Sequence, residues 1–192
     1  IAIARAFGAG DQVAPVVMER IAKVIGASQW DAYHYEEPFV AGKYSQPGPK
    51  LAIDSTLRDL ARFAYLWLRD GEWNGEQVVP REYARAGRQN QLASLGAHYG
   101  YWWFTNDGKV RLPDAPEDAF YNIGKGRGQR GKGGDGRRTI CLIIPSLHLI
   151  AIAGTGAKTY DLAENYTSLP FTKVNEWIRQ ILPAVEDQRK LP

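Results

Sequence analysis

The chain has 192 residues, of which 44% are hydrophobic and 23% charged, and its formal net charge is +3. These values are typical of one globular domain with a real core. The weak charge argues against a dedicated nucleic-acid or membrane-surface protein. No apolar stretch approaches the ~20 residues of a membrane span. Cys141 is the only cysteine and the three histidines lack zinc-ligand spacing, so the sequence indicates neither a disulfide framework nor a metal site.

The first periodic segment predicts a helix over residues 11–26. Asp11 can cap it, and Gly26 is a natural stop. Residues 27–54 lack periodicity and contain several prolines, so we expect a long surface crossing pinned to the body by aromatic side chains. The prolines and aromatic residues of this segment are Trp30, Tyr33, Tyr35, Pro38, Phe39, Tyr44, Pro47 and Pro49.

Residues 55–70 carry the clearest helix signal in the chain. Ser55 or Thr56 can cap it, Asp59 completes a near capping box, and Gly71 ends it. The apolar face repeats at helical spacing. Its members are Leu57, Leu60, Ala61, Phe63, Ala64, Trp67 and Leu68.

The next segments are separated by turn signals. Asn74-Gly75 predicts a tight turn, and Pro80 is placed to open a helix over residues 81–90. The aromatic run at residues 99–104 and the segment 109–112 flank Asn106-Asp107-Gly108, which predicts a hairpin.

The last third of the chain predicts a sheet followed by a helix. Residues 140–144 and 149–153 form an expected antiparallel pair, and Thr172 can cap the final helix. We therefore predict an α+β fold in one domain, with a mainly helical and loop region over 1–95 and sheet strands and a C-terminal helix over 96–192.

Three segments resemble the serine β-lactamase-like and penicillin-binding-protein-like hydrolases. They are residues 55–80 (STLRDLARFAYLWLRDGEWNGEQVVP), 99–103 (YGYWW) and 134–149 (GDGRRTICLIIPSLHL). The resemblance covers roughly residues 10–185. The family includes class C β-lactamases, D-alanyl-D-alanine carboxypeptidases, esterases and aminohexanoate-oligomer amidases, and its members are bacterial, periplasmic or cytoplasmic.

The resemblance implies an acyl-enzyme mechanism without a metal or cofactor. In this family a serine in S-x-x-K attacks the acyl carbon, and a K-[TS]-G-like motif on a cleft strand lends one backbone N–H to the oxyanion hole. Lys132-Gly133-Gly134 is similar to that third motif, which makes the N–H of Asp135 the expected oxyanion donor. The resemblance also implies that six residues of this segment contact a small-molecule or peptide substrate. They are Lys132, Gly133, Gly134, Gly136, Arg137 and Arg138.

The chain departs from the family pattern in two respects. No serine has a lysine three residues on, and no Y-x-N or S-x-N is present, so we expect the nucleophile and base upstream of Ile1 and this chain alone to be inactive. The third motif also has a competing register at Gly124-Lys125-Gly126, although the spacing to Pro145 favours Lys132.

Other functions have weaker support in the sequence. Residues 126–131 fit G-x-G-x-x-G, but glycines and a predicted strand follow where a phosphate-binding helix should begin. The basic side chains of the 125–138 loop could hold nucleic acid, yet one such loop is more often solvated. A β-lactamase-like body that only binds peptide or cell-wall fragments remains the alternative to a hydrolase. Which ester or amide would be the substrate depends on pocket shape.

Overall fold

A four-stranded antiparallel sheet forms the centre of the molecule. A computed structural model describes residues 13–36, 49–125, 138–154 and 171–188. The strands are β5 (Phe104–Thr105), β6 (Phe120–Lys125), β7 (Arg138–Ile144) and β8 (Leu149–Gly154), adjacent in that order. The predicted pairing of residues 140–144 with 149–153 is confirmed, since Ile144 lies opposite Leu149 and Ile140 opposite Ala153.

Each face of this sheet is covered by a helix, which explains why β7 is apolar from Ile140 to Ile144. One face packs on α2 (Leu57–Leu68) and the other on α4 (Phe171–Gln188). Phe120, Cys141 and Ile143 belong to the first core. Tyr121, Ile140, Leu142 and Ile144 alternate with them and belong to the second.

The N-terminal part holds a helix and a strand pair. Helix α1 (Val13–Val17) continues as a π-helical turn (Met18–Ala22), which confirms the predicted helix within the described residues. The expected surface crossing over residues 27–54 is wrong, because β1 (Trp30–Glu36) pairs with β2 (Pro49–Ser55) as an antiparallel hairpin. Alternate residues Trp30 and Ala32 pack on the core, a period-2 pattern that the aromatic residues on the other positions obscured.

Helix α2 begins as the sequence predicts. Thr56 is its N-cap, and the side-chain oxygen accepts a hydrogen bond from the N–H of Asp59 at 3.2 Å. The Asp59 carboxylate does not complete a capping box. It is buried, and it accepts hydrogen bonds from the N–H of Gln29 at 2.8 Å and from the guanidinium of Arg62. Asp59 therefore ties α2 to the segment that enters β1.

The Asn-Gly turn is also confirmed. Strands β3 (Glu72–Trp73) and β4 (Glu76–Gln77) are joined by Asn74 and Gly75, whose φ angles are 49° and 86°. These left-handed angles are the ones a tight hairpin turn requires. Helix α3 (Arg81–Gly87) follows Pro80 and ends earlier than the predicted residue 90.

The hairpin expected around residues 106–108 is wrong. β5 is only two residues long and pairs with β6 instead of with residues 109–112. The cause is Asn106, which is buried and whose amide donates to the carbonyls of Leu112 and Pro116 and accepts from the N–H of Leu112. An asparagine that serves three backbone groups closes a loop, not a two-strand turn.

The result is a mixed α and β architecture with antiparallel sheets and a C-terminal helix. The part of the chain before residue 95 contains the β1–β2 hairpin as well as helices. Helix α4 begins at Phe171, one residue before the expected cap at Thr172. Across the four described ranges, no helix is both long and apolar enough to span a bilayer.

Asp59 should make stability depend on pH in the acid range. The N–H of Gln29, together with Arg62 and Thr56, lowers the pKa of its carboxyl below the ordinary value of 3.8 despite the opposing effect of burial. A depressed folded-state pKa adds stability above about pH 4 that is lost as the pH falls through the folded pKa. We expect urea unfolding between pH 2.5 and 7 to show a shallower acid loss for Asp59→Asn.

The matched control for this experiment is Glu76→Gln. Glu76 is exposed and has no ion pair among the contacts described, so this variant should keep the wild-type pH dependence. An acid loss in Asp59→Asn as steep as in the wild type would contradict the role given to Asp59.

Candidate functional site

A cavity of about 290 Å³ lies on the α2 side of the sheet, where β6 ends and β7 begins. Four elements enclose it: the β1–β2 hairpin, the first turns of α2, the aromatic segment before β5, and β6 with β7. The described lining residues are Trp30, Ile53, Asp54, Ser55, Leu57, Leu60, Phe63, Trp102, Trp103, Asn122, Gly124, Thr139 and Cys141.

The inner wall of the cavity is a cluster of aromatic rings. Phe63 of α2 meets Trp30 edge-on at 5.2 Å and stacks on Trp103 at 6.2 Å between ring centroids. Trp103 in turn meets Phe120 of β6 edge-on at 5.2 Å. These geometries are the favoured ones for aromatic pairs. Because the rings brace each other across three elements, the wall is rigid.

The β6 strand has an open edge next to this cavity. The N–H of Asn106 donates to the carbonyl of Ala119, so Ala119 and every second residue after it face the β5 side. β5 pairs only with Phe120 and Tyr121. The backbone groups of Ile123 and Lys125 therefore point to an edge that no described strand covers. Gly124, between them, lines the cavity.

Few polar side chains face the cavity, and none of those described forms a nucleophile–base pair. Asn122 donates to the carbonyl of Trp102 at 2.8 Å and so holds the aromatic segment against β6. Ser55 and Thr139 offer hydroxyls, but neither is hydrogen-bonded to a lysine or histidine in the part of the chain that the structure describes. Asp54 is the one described lining residue that carries a charge.

Cys141 lines the cavity but is unsuited to nucleophilic chemistry. Its side chain is buried in the sheet, and this burial raises the pKa of the thiol to about 12. The thiolate is the reactive form of cysteine, so a thiol with this pKa is inert near neutral pH.

The residues predicted for the third motif fall largely outside the described part of the chain. Lys132, Gly133, Gly134, Asp135, Gly136 and Arg137 lie between the described ranges, and their placement in the site stays a prediction. Arg138 opens β7, where its backbone lies opposite Lys125 of β6. Of the two registers, the structure thus describes the start of the competing one, Gly124 and Lys125.

Sequence reasoning missed the aromatic segment and Asn122 as parts of one site. Residues 99–104 were expected to be a strand, yet Trp102 and Trp103 form a wall of the cavity. The available signal was the alternation of Phe120, Asn122 and Gly124 along β6, which places all three on one face of the sheet. This alternation places a polar residue and a glycine on the same face of β6 as an aromatic residue.

A solved structure of similar fold gives a comparison. It is a protein from Bacillus anthracis described as a 6-aminohexanoate-dimer hydrolase, with a TM-score of 0.53 and 23% sequence identity. The match covers 92% of this chain and 39% of that chain. The likeness shows the fold alone. The description of that protein agrees with the resemblance seen in the sequence, which includes aminohexanoate-oligomer amidases. No protein-family model and no curated protein matches the sequence.

The state of Cys141 can be checked by alkylation. At pH 8 a thiol of pKa about 12 is ionised in about one molecule in 10⁴. We expect iodoacetamide to leave the folded protein unmodified over hours and to alkylate it within minutes in 8 M urea, as read by mass spectrometry. Rapid modification of the folded protein would contradict the buried position of this thiol.

Proposed function

We propose that this chain forms one wall of the acyl site in a serine hydrolase that acts on an ester or an amide. The observation that carries the proposal is the open edge of β6 beside an aromatic cavity. The outward N–H groups of Ile123 and Lys125 can bind an oxyanion, while the cavity receives the acyl substituent. No serine of the 192 residues has a lysine three positions on, so in this proposal the nucleophile and its base are supplied from outside them.

In this proposal β6 is the cleft strand, and the third motif takes the register at Gly124 and Lys125. The motif needs an edge strand whose backbone faces the substrate, with little side-chain bulk next to it. β6 offers that edge, and Gly124 leaves room above the strand. Lys125 is the better oxyanion donor because it lies further than Ile123 from β5 and the aromatic segment.

The chemistry proceeds in two steps with this wall as the electrostatic support. The serine oxygen attacks the acyl carbon as its proton passes to the base, and the carbonyl oxygen gains negative charge that the N–H of Lys125 stabilises. The bond to the leaving alcohol or amine then breaks as that group takes a proton from the base. Water, deprotonated by the same base, attacks the acyl-enzyme and releases the acid.

The cavity favours an uncharged, apolar acyl group. Its described walls are aromatic and aliphatic, and Asp54 would repel a second carboxylate. The Bacillus anthracis protein of similar fold is described as acting on an amide, the 6-aminohexanoate dimer, which supports an amide as one candidate bond. A linear ester of a medium-length acid fits the same walls.

A serine-directed probe tests the mechanism. We expect a fluorophosphonate to label the full-length protein at one serine, as identified by mass spectrometry of the peptides. Prior heating should abolish the labelling, because the reaction needs the folded site. A folded protein that stays unlabelled would contradict the hydrolase and favour a body that only binds its ligand.

Replacement of Lys125 tests the oxyanion donor. Proline removes the outward N–H but is tolerated on an open edge, where that group makes no ladder hydrogen bond. We expect Lys125→Pro to lower kcat for p-nitrophenyl hexanoate by about 10²–10³-fold. Lys125→Ala keeps the N–H and should stay within about threefold of the wild type. Equal losses in the two variants would assign the effect to the side chain and refute the proposed donor.

A further inference from the structure

Trp102 has a backbone conformation that tryptophan rarely adopts. Its φ angle is 72°, in the left-handed region where glycine and asparagine are the usual residues. The side chain is nevertheless 46% exposed, so burial of the ring does not explain its presence. Strain of this kind persists where the surroundings hold the residue in place, and it often accompanies a functional role.

The strained conformation is held from three directions. On the N-terminal side, Tyr101 donates its N–H to the carbonyl of Gly87 at 2.9 Å. Across the turn, the N–H of Gly100 donates to the carbonyl of Trp103 at 2.8 Å. From the sheet, Asn122 donates to the carbonyl of Trp102 itself at 2.8 Å. These three hydrogen bonds therefore hold the backbone of the turn in place.

The close approach of Gly100 to α3 adds to this constraint. A Cβ atom at residue 100 would lie 2.0 Å from the carbonyl oxygen of Gly87, a distance at which the backbone has to shift. The glycine at 100 thus allows the turn to sit directly on the end of α3. Position 100 is a glycine because a side chain would not fit there. Position 102 also has a backbone conformation suited to glycine, yet it is a tryptophan.

Trp102 lines two concave surfaces. On one side it lines the aromatic cavity next to Trp103 and Asn122. On the other side it lines a shallow outer depression, together with Tyr83, Tyr99, Gly100 and Tyr101. Tyr83 and Tyr101 are partly exposed there, with ring centroids 5.2 Å apart. An extended molecule that leaves the cavity on this side passes over the indole.

We propose that Trp102 is a specificity-determining residue that selects ligands long enough to leave the cavity and lie across its ring. This inference rests on the proposed function, since the acyl group of that substrate occupies the cavity and its leaving group crosses Trp102. The indole face offers apolar contact to an alkyl chain or a ring, and the tyrosines of the outer depression extend that surface. A short ligand gains nothing from it.

Binding of two neutral amides to this chain tests the proposal without requiring hydrolysis. N-hexylhexanamide can span cavity and indole, whereas N-methylhexanamide fills the cavity alone. By titration calorimetry we expect the long amide to bind wild type about 5- to 10-fold more tightly than the short one. Trp102→Gly and Trp102→Ala should reduce that preference to about twofold or less, and Trp102→Phe should keep most of it.

Thermal unfolding of the same variants separates function from structure. Glycine releases the left-handed strain, so Trp102→Gly should melt about 2–4 °C above Trp102→Ala, although both lose the long-ligand preference. An unchanged preference in the glycine variant, no preference in the wild type, or a glycine variant less stable than the alanine variant would each overturn the proposal. Because no covalent step is involved, failure of the fluorophosphonate to label the protein leaves this test valid.

Discussion

Partial pairing of β6 is the constraint on which the rest of the site depends. All six residues of β6 pair with β7, whereas only the first two residues of β6 pair with β5. β5 stops there because the chain before it folds into the aromatic turn and the chain after it is closed by Asn106. The unpaired remainder of β6 is the edge at Ile123 and Lys125, and the cavity lies where β5 would otherwise have covered the sheet.

The aromatic cluster stabilises the cavity beside the edge of β6. An uncovered sheet end would normally collapse onto nearby apolar side chains or pair with another strand. Here Phe63 of α2 contacts both Trp30 of the hairpin and Trp103. Trp103 in turn contacts Phe120 of β6, so the rings space these elements apart. Asp59 also holds α2 and the hairpin together, because its carboxylate links the start of α2 to Gln29. Packing and one buried carboxylate therefore preserve the cavity.

Local signals in the sequence were sufficient for elements whose causes are local. Thr56, Asn74-Gly75 and the apolar run through Ile140 each determine a structure within a few residues, and each prediction is confirmed. The β1–β2 hairpin pairs residues as far apart as Trp30 and Ser55, and the loop at Asn106 depends on side-chain hydrogen bonds to Leu112 and Pro116, so periodicity could reveal neither. The site shares this property, because Trp102 and Asn122 meet only after β6 has joined the sheet.

Two turns of the chain show how far local preference and function diverge. At Asn74 and Gly75 the backbone needs positive φ, and the sequence supplies residues that accept it at little cost. At Trp102 the backbone makes a similar demand, and the sequence supplies a large aromatic residue instead. Asp70, Lys109 and His148 also have positive φ angles, so the backbone conformation alone does not set Trp102 apart. What distinguishes Trp102 is its position on the rim of the cavity, where an indole has something to contact and a glycine does not.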